Sequence, residues 1–380
     1  VTDPVGGASH DLKCSPAMPA DRSVRIPAPA LLAATARVFA ALGLPDAAAA
    51  AVAEGLVDAD MRGIPSHGLM LVPMYAERIQ AGSVTTATEA EVVTDLGAIA
   101  VLDAKNALGI LTGDQATALA IERARQFGIG AVAVRHAFHF GGAFRYVVAA
   151  AEAGLVGIAA ANTRPLIPAP GGAAAVIGNN PLAIGVPSGG ADPIVLDMAL
   201  SEAALGKIRI AAAEGREIPP TWATDASGTP TTDPEAAIAG LLLPAAGPKG
   251  YGLAFMVDVL TGVLSGGAFG AGVQGLYADT STPNDCAHFF IAIDPAAFGG
   301  VEEFAARVDE LAAQVSASPT APGVERVLLP GQLEAERHAA ARTDGVRVER
   351  SVLDNLREVA AGLGVDLDDL GPADREEGNG

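Results

Sequence analysis

Two histidines stand where a proton could be exchanged. His67 lies in the run Asp60-Met61-Arg62-Gly63-Ile64-Pro65-Ser66-His67-Gly68. His139 lies in Arg135-His136-Ala137-Phe138-His139-Phe140-Gly141-Gly142. Imidazole, with an ordinary pKa of about 6.5, trades protons near neutral pH. The chain has only six histidines, and both of these have glycine close by. Glycine lets backbone and ligand approach closely. Proton-transfer chemistry is therefore the first expectation.

Other chemistries fit less well. Ser66 and His67 are adjacent, so their side chains are expected to diverge, and no G-x-S-x-G elbow accompanies them. His136 and His139 are three apart, whereas a helical zinc pair wants four with a glutamate beside the first. Gly270-Ala-Gly272-Val-Gln-Gly275 matches GxGxxG by letter. A dinucleotide fingerprint needs a strand before it and a helix after it. Neither context is expected here, so the run reads as a loop. Polar groups gather at predicted strand ends and loops: Asn162-Thr163, Gly178-Asn179-Asn180-Pro181 and Asp197-Met198-Ala199. Together they suggest a polar cleft. Lys249 falls where a helix should begin, which could suit a phosphate.

The elements that must hold these residues follow from pattern. Residues 1–25 lack periodicity and read as a loose extension. Pro27 to Met61 reads as two helices broken near Leu42-Gly43-Leu44-Pro45, and Leu69 to Gln80 as another. Strands are expected at 101–103, 130–135, 154–161, 193–198, 287–293 and 324–329. Helices are expected at 114–127, 142–153, 203–213, 250–264, in the stretch up to about 315, and at 333–342 and 349–363. The acidic end after 366 reads as a tail. A helical part from 26–100 is thus followed by an α/β part from 101–325, and helices close the chain over 326–366.

Composition bounds the answer. The 380 residues suggest two domains. Half of the residues are hydrophobic, enough for a buried core. The formal net charge of −20 argues against nucleic acid and anionic membranes as partners. A small anion remains compatible, served locally by Lys207, Arg209 and Lys249. Cys14 and Cys286 have no pairing or metal spacing, which suits free thiols in a reducing cytoplasm. No signal peptide or membrane span is expected.

The ordered blocks also resemble the type 2 malate/L-lactate dehydrogenase family, which includes sulfolactate and ureidoglycolate dehydrogenases and piperideine-2-carboxylate reductases. The blocks are Asp60 to Gly68, His139-Phe-Gly141, Asn179-Asn-Pro181, Leu196-Asp197-Met-Ala199, Thr231-Thr-Asp233-Pro234, Lys249-Gly-Tyr-Gly252 and Leu329-Pro-Gly331. The resemblance implies a non-Rossmann α/β fold: a largely antiparallel sheet for NAD or NADP, with a helical domain built from both terminal segments. It implies a homodimer acting on a small 2-hydroxy acid, 2-oxo acid or cyclic imine carboxylate.

It assigns His139 as the acid/base. It places Ser66, His67 and Tyr75 on the substrate side; for the carboxylate cation that position 71 lacks, Arg62 is one candidate, and a less acidic substrate is the alternative. Thr163, Asn180, Asp197, Met198, Ala199, Lys249, Pro330, Gly331 and Gln332 fall at or beside cofactor contacts. Three positions depart from the family's habit. Leu71 replaces an arginine that would fork onto a substrate carboxylate, Pro248 replaces a histidine, and Gln332 replaces a glutamate. Leu71 leaves a second expectation open: a member that binds cofactor but has lost or altered its catalysis. Arg164 is the other candidate cation.

Overall fold

A computed structural model describes residues 23–370, except position 191. Cys14, most of the expected extension and most of the acidic tail lie outside these residues.

The N-terminal part is helical where apolar spacing and caps agree. Strand β1 (Ser23–Ile26) leads into α1 (Ala28–Ala41), with a proline in its first turn. Helix α2 (Asp46–Met61) opens on an aspartate, which suits the positive end of the helix dipole. The break between them falls where Gly43 and Pro45 interrupt the pattern. The expected helix from Leu69 begins instead as two 3-10 turns, Pro65–His67 and Leu69–Leu71, before α3 (Val72–Gln80).

The middle of the chain forms β2 (Glu91–Asp95), β3 (Ile99–Asp103), α4 (Gly109–Phe127), β4 (Ile129–Ala137), α5 (Phe144–Glu152) and β5 (Val156–Ala161). Next come the short β6 (Ile167–Pro168) and β7 (Ala175–Ile177), then β8 (Leu182–Val186) and β9 (Ile194–Met198). After α6 (Leu205–Ala213), β10 (Ala223–Thr224), α7 (Pro234–Ile238) and β11 (Leu241–Leu242), helix α8 (Pro248–Asp258) runs into a π turn over Val259–Val263. Strand β12 (Cys286–Ile293), α9 (Val301–Ser316), α10 (Gln332–Asp344), β13 (Val346–Glu349) and α11 (Arg350–Gly362) complete the order.

Seven strands form the main sheet in the order β2-β3-β4-β12-β5-β8-β9. Only β3 and β4 pair in parallel; the other neighbours are antiparallel. The sheet is therefore mixed and mostly antiparallel. Strand β12 was carried far along the chain to lie between β4 and β5, so it fixes both partners at once.

Two expectations are corrected here. Residues 324–329 form no strand. Only the Pro330 carbonyl reaches the sheet edge, accepting from Val195 N–H, so the apolar run finds no ladder. The extension read to 25 ends earlier, because Ser23–Ile26 pairs antiparallel with Val346–Glu349.

Two large apolar cores result. One gathers Leu31, Val38, Phe39, Leu56, Tyr75, Leu353 and Leu356 from α1–α3 and α11. The other lies on the sheet, with Val132, Val134, Phe144, Val147 and Phe290 under α4 and α5. Each fully buried side chain of this size contributes about 1.5–3 kcal/mol of transfer free energy.

Candidate active site

Strand β4 delivers His139. Along β12, Cys286 faces Ala137 but His288 faces Val134, so β4 carries a bulge. There His136 takes φ 49° and its Nδ1 lies 3.0 Å from Asp103 Oδ2. Bulges re-aim a strand's side chains. Beyond this one, Phe138 and Phe140 are buried and His139 between them stays half-buried. Helix α4 begins against the same segment: a Cβ on Gly109 would lie 1.9 Å from Phe138 O and 2.7 Å from His139 O. His136, occupied by Asp103, is turned to a separate cluster. Among the described residues no three metal-binding side chains converge.

The turn after α2 delivers Ser66 and His67. The Ser66 hydroxyl lies 2.9 Å from His67 Nδ1. The expected divergence of the two side chains is thus corrected, because the 3-10 turn folds one onto the other. The His67 ring stacks on His139 with centroids 5.5 Å apart and planes at 24°. Helix α3 delivers Tyr75, whose Oη lies 2.8 Å from His139 Nδ1. Tyr75, expected on the substrate side, is fully buried between Phe39 and Phe138. It stands behind His139 instead.

Surrounding protein sets the protonation of these groups. Burial holds His67 near pKa 4. Burial, with repulsion from His67 and His288, holds His139 well below the usual histidine value. Both rings are neutral at pH 7, and each residue as a whole is only partly buried. Burial pushes the Tyr75 phenol well up, so it keeps its proton. The pair can therefore accept a proton and hold a polar atom of a bound molecule.

The polar groups predicted at strand ends converge on the same end of the sheet. Strands β4 and β5 both run antiparallel to β12, so His139 and Thr163 leave beside the start of β12. Asn179 and Asn180 precede β8, and Met198 and Ala199 end β9, its neighbour. Thr163 Oγ1 donates to Asn179 Oδ1 at 3.0 Å. Asp197 accepts from Phe144 N–H at 2.9 Å. Crowding by the surrounding protein raises its carboxyl to a pKa of about 6, although the residue itself is exposed. Pro330 and Gly331 lie on β9, and Gln332 accepts from Leu329 N–H at 3.0 Å. Lys249 is exposed in the first turn of α8, as Lys207 and Arg209 are on α6.

Two expected residues are placed elsewhere. Asn180 has no exposed surface: it accepts from Thr163 N–H and donates to Ala254 O. Its amide is used up inside the protein, and it has no surface to offer a ligand. Arg62 pairs with Asp58 at 3.2 Å and covers the Phe144 ring at 4.7 Å, so its charge is already engaged. The GxGxxG run behaves as a loop. Gly270–Gly272 is a 3-10 turn, and the Gly275 carbonyl accepts from buried Arg78 at 2.8 Å.

Four residues were not singled out in the sequence. Asp60 and Gly109 touch the backbone of the two histidine segments, Arg78 braces the loop beside Tyr75, and His288 stacks on Phe140 at 4.6 Å. His288 falls at an inward position of an alternating strand, which was a legible signal. Gly109 and Arg78 act through contacts distant in sequence.

The family model described as malate/L-lactate dehydrogenase matches residues 26–357. The chain belongs to that dehydrogenase family. It is 37% identical to the malate dehydrogenase of Pyrococcus abyssi over 350 residues, 90% of this chain and 96% of the relative. It is 39% identical to the NAD(+) ureidoglycolate dehydrogenase of Escherichia coli over 306 residues, 80% of this chain and 87% of the relative. The solved sulfolactate dehydrogenase of Methanocaldococcus jannaschii superposes with a TM-score of 0.86 at 35% identity, covering 91% of this chain and 99% of that one. These relatives bear dehydrogenase names, and the chain is accordingly of the pyridine-nucleotide oxidoreductase class. Among its described residues no helix is long and apolar enough to cross a membrane.

Proposed function

We propose that the chain transfers a hydride between a nicotinamide cofactor and a small 2-hydroxy acid, 2-oxo acid or cyclic imine carboxylate. One observation carries the reading. A neutral His139, fixed from behind by Tyr75, stacks on the His67 of the Ser66–His67 pair at the sheet end where the polar groups gather.

The donor set there fits such a cofactor. In this reading Thr163 and the main chain of Met198 and Ala199 take the near part of the cofactor, and Pro330, Gly331 and Gln332, which lie against Val195 of β9, take its far part. Asp197 offers a carboxylate to ribose hydroxyls, and exposed Lys249 offers a cation to phosphate. This placement uses a mostly antiparallel, non-Rossmann sheet. When bound, the nicotinamide supplies or accepts the hydride.

The protein's own residues do the rest. His139 Nε2 takes the proton of a substrate hydroxyl, or returns it to a carbonyl or imine. For this Nδ1–H donates to the Tyr75 oxygen, whose own O–H points to the His139 carbonyl, which leaves Nε2 as the basic nitrogen and orients the ring. His67, set by Ser66, holds the same substrate atom from the other side. Leu71 is 2% exposed within the helical core and offers no cation. Arg164, exposed and next to Thr163, takes the substrate carboxylate in its place.

The test is a panel assay. Purified protein is mixed with NADH or NADPH and a series of 2-oxo acids and cyclic imines, and the reduced-nicotinamide absorbance is followed. Turnover is expected with at least one pair, and Arg164→Ala should raise KM for it. Cofactor binding with no turnover across the panel would favour the second reading, a binding member without catalysis, which Leu71 motivates.

We also infer that the chain works as a homodimer. Phe255, Met256, Val263 and Phe269 lie 45–57% exposed on and beside α8 and its π turn. An apolar face of this kind marks an interface. Light scattering should give twice the chain mass.

A further inference from the structure

Asp60, near the end of α2, is a buried carboxylate whose partner is main chain. It is 9% exposed. Its Oδ2 accepts from Leu69 N–H at 2.8 Å. Gly68 presses on the same group: a Cβ there would stand 2.3 Å from Cγ and Oδ1 and 2.4 Å from Oδ2. No other residue type fits without moving the carboxylate or the turn.

Between these contacts the chain makes one compact excursion. Gly63 N–H and Ile64 N–H return to Asp60 O and Ala59 O, while His67 N–H and Gly68 N–H bond Ile64 O and Pro65 O. Ser66 and His67 ride at its tip. The cation nearest in sequence, Arg62, is engaged by Asp58 and Phe144. A carboxyl group kept out of water without a cation costs stability when ionised, and burial raises this one to a pKa of about 7. Here the cost accompanies a grip on the far end of the turn that carries His67.

We propose that Asp60 is a positioning residue for hydride transfer: its carboxyl group clamps Gly68 and Leu69, and thereby fixes the stack of His67 on His139. This rests on the dehydrogenase reading for its kinetic consequence only. Asp60 does not touch the reacting atoms. The clamp needs an acceptor oxygen of the right shape, which asparagine also supplies.

The test compares Asp60→Ala, Asp60→Asn and Gly68→Ala with the wild type. Cofactor-free protein is read by NMR of the histidine ring Cε1–H signals, assigned through His67→Gln and His139→Gln. Kinetics and cofactor titration follow on the same samples. In Asp60→Ala the His67 and His139 signals should move towards free-histidine positions. Its kcat/KM should fall about 10²-fold, the scale of an ångström of misplacement, with cofactor Kd within about twofold of wild type. Asp60→Asn should restore both ring signals and most of the turnover. Gly68→Ala approaches the clamp from the other side and should repeat the Asp60→Ala pattern, should that variant fail to fold.

Unmoved ring signals with normal turnover in Asp60→Ala and Gly68→Ala would overturn the proposal, as would an equal loss in Asp60→Asn. Ring signals that move as expected in a protein that turns over nothing would keep the clamp and remove the dehydrogenase reading instead.

Discussion

Tyr75 Oη sits 2.8 Å from His139 Nδ1, behind the face that meets His67. With Nδ1 taken, Nε2 is the nitrogen left for a bound molecule. Tyr75→Phe removes that hold and leaves a buried ring nitrogen unpaired. Turnover should drop about tenfold, the worth of one such bond. His139→Ala should drop it by about 10²–10⁴. Steady-state rates for both variants decide the matter. Equal activity in wild type and His139→Ala would strip that residue of its role.

The pH profile should separate the two directions. Burial, with two neighbouring histidines, holds His139 well below 6.5. The neutral ring needed to take a proton therefore persists below that pH. Alcohol oxidation should keep its kcat/KM plateau through pH 6 and fall only as pH passes the lowered value. Carbonyl reduction needs the protonated ring, so its rate should climb as pH drops from 8 towards 6. An oxidation limb centred at an ordinary histidine value would contradict this account of the ring's surroundings.

Gly109 is where α4 meets the active-site strand. A Cβ at 1.9 Å from Phe138 O forces either the helix or the histidine segment to retreat. Gly109→Ala should cost about 1–3 kcal/mol, as overpacking does. Its turnover at 25 °C, where circular dichroism still reports a native fold, should fall further than that of an equally destabilised variant elsewhere. A loss of stability with unchanged kcat would show that His139 does not depend on this contact.

His288 should govern acid stability. Its side chain is fully buried, its Nδ1 has no hydrogen-bond partner, and burial pushes its pKa to about 3. Below pH 6.5 the unfolded chain binds a proton that the native ring refuses. Native stability therefore falls as pH falls, by about 1.4 kcal/mol per pH unit from this ring alone. His288→Phe keeps the stack on Phe140 and removes the titration. Urea unfolding at pH 5 and pH 7 should show a smaller difference for the variant; an unchanged difference would reject the assignment.

Chemistry was more legible in this sequence than contact. His139 was readable because a strand, two glycines and an imidazole fall together, and the polar strand ends were readable by the same rule. The stack on His67 was not, since it depends on where α2 and β4 end in space. Asn180 looked available because amides at strand ends often hold ligands, yet its amide is consumed by Thr163 and Ala254. Arg62 looked free because its partner, Asp58, lies a helical turn away on the same face. The helices on either side of Leu42–Pro45 were found by their apolar pattern and by the Gly43–Pro45 break between them. Strand β8 was overlooked because it is short and Gly185 interrupts its apolar run, and β13 because its partner, β1, lies far along the chain. Residues 324–329 show the converse error: apolar and β-branched residues without a neighbouring strand to bond.

The pairing of Ser23–Ile26 with Val346–Glu349 sets a schedule for assembly. Strand Ser23–Ile26 is synthesised more than 300 residues before the strand it pairs with. Until then Leu31, Val38 and Phe39 lack Leu353 and Leu356 as neighbours. Closing so long a loop is entropically slow. A nascent chain stalled before Val346 should thus complete its sheet while leaving its opening helices unsealed, open to chaperones and proteases.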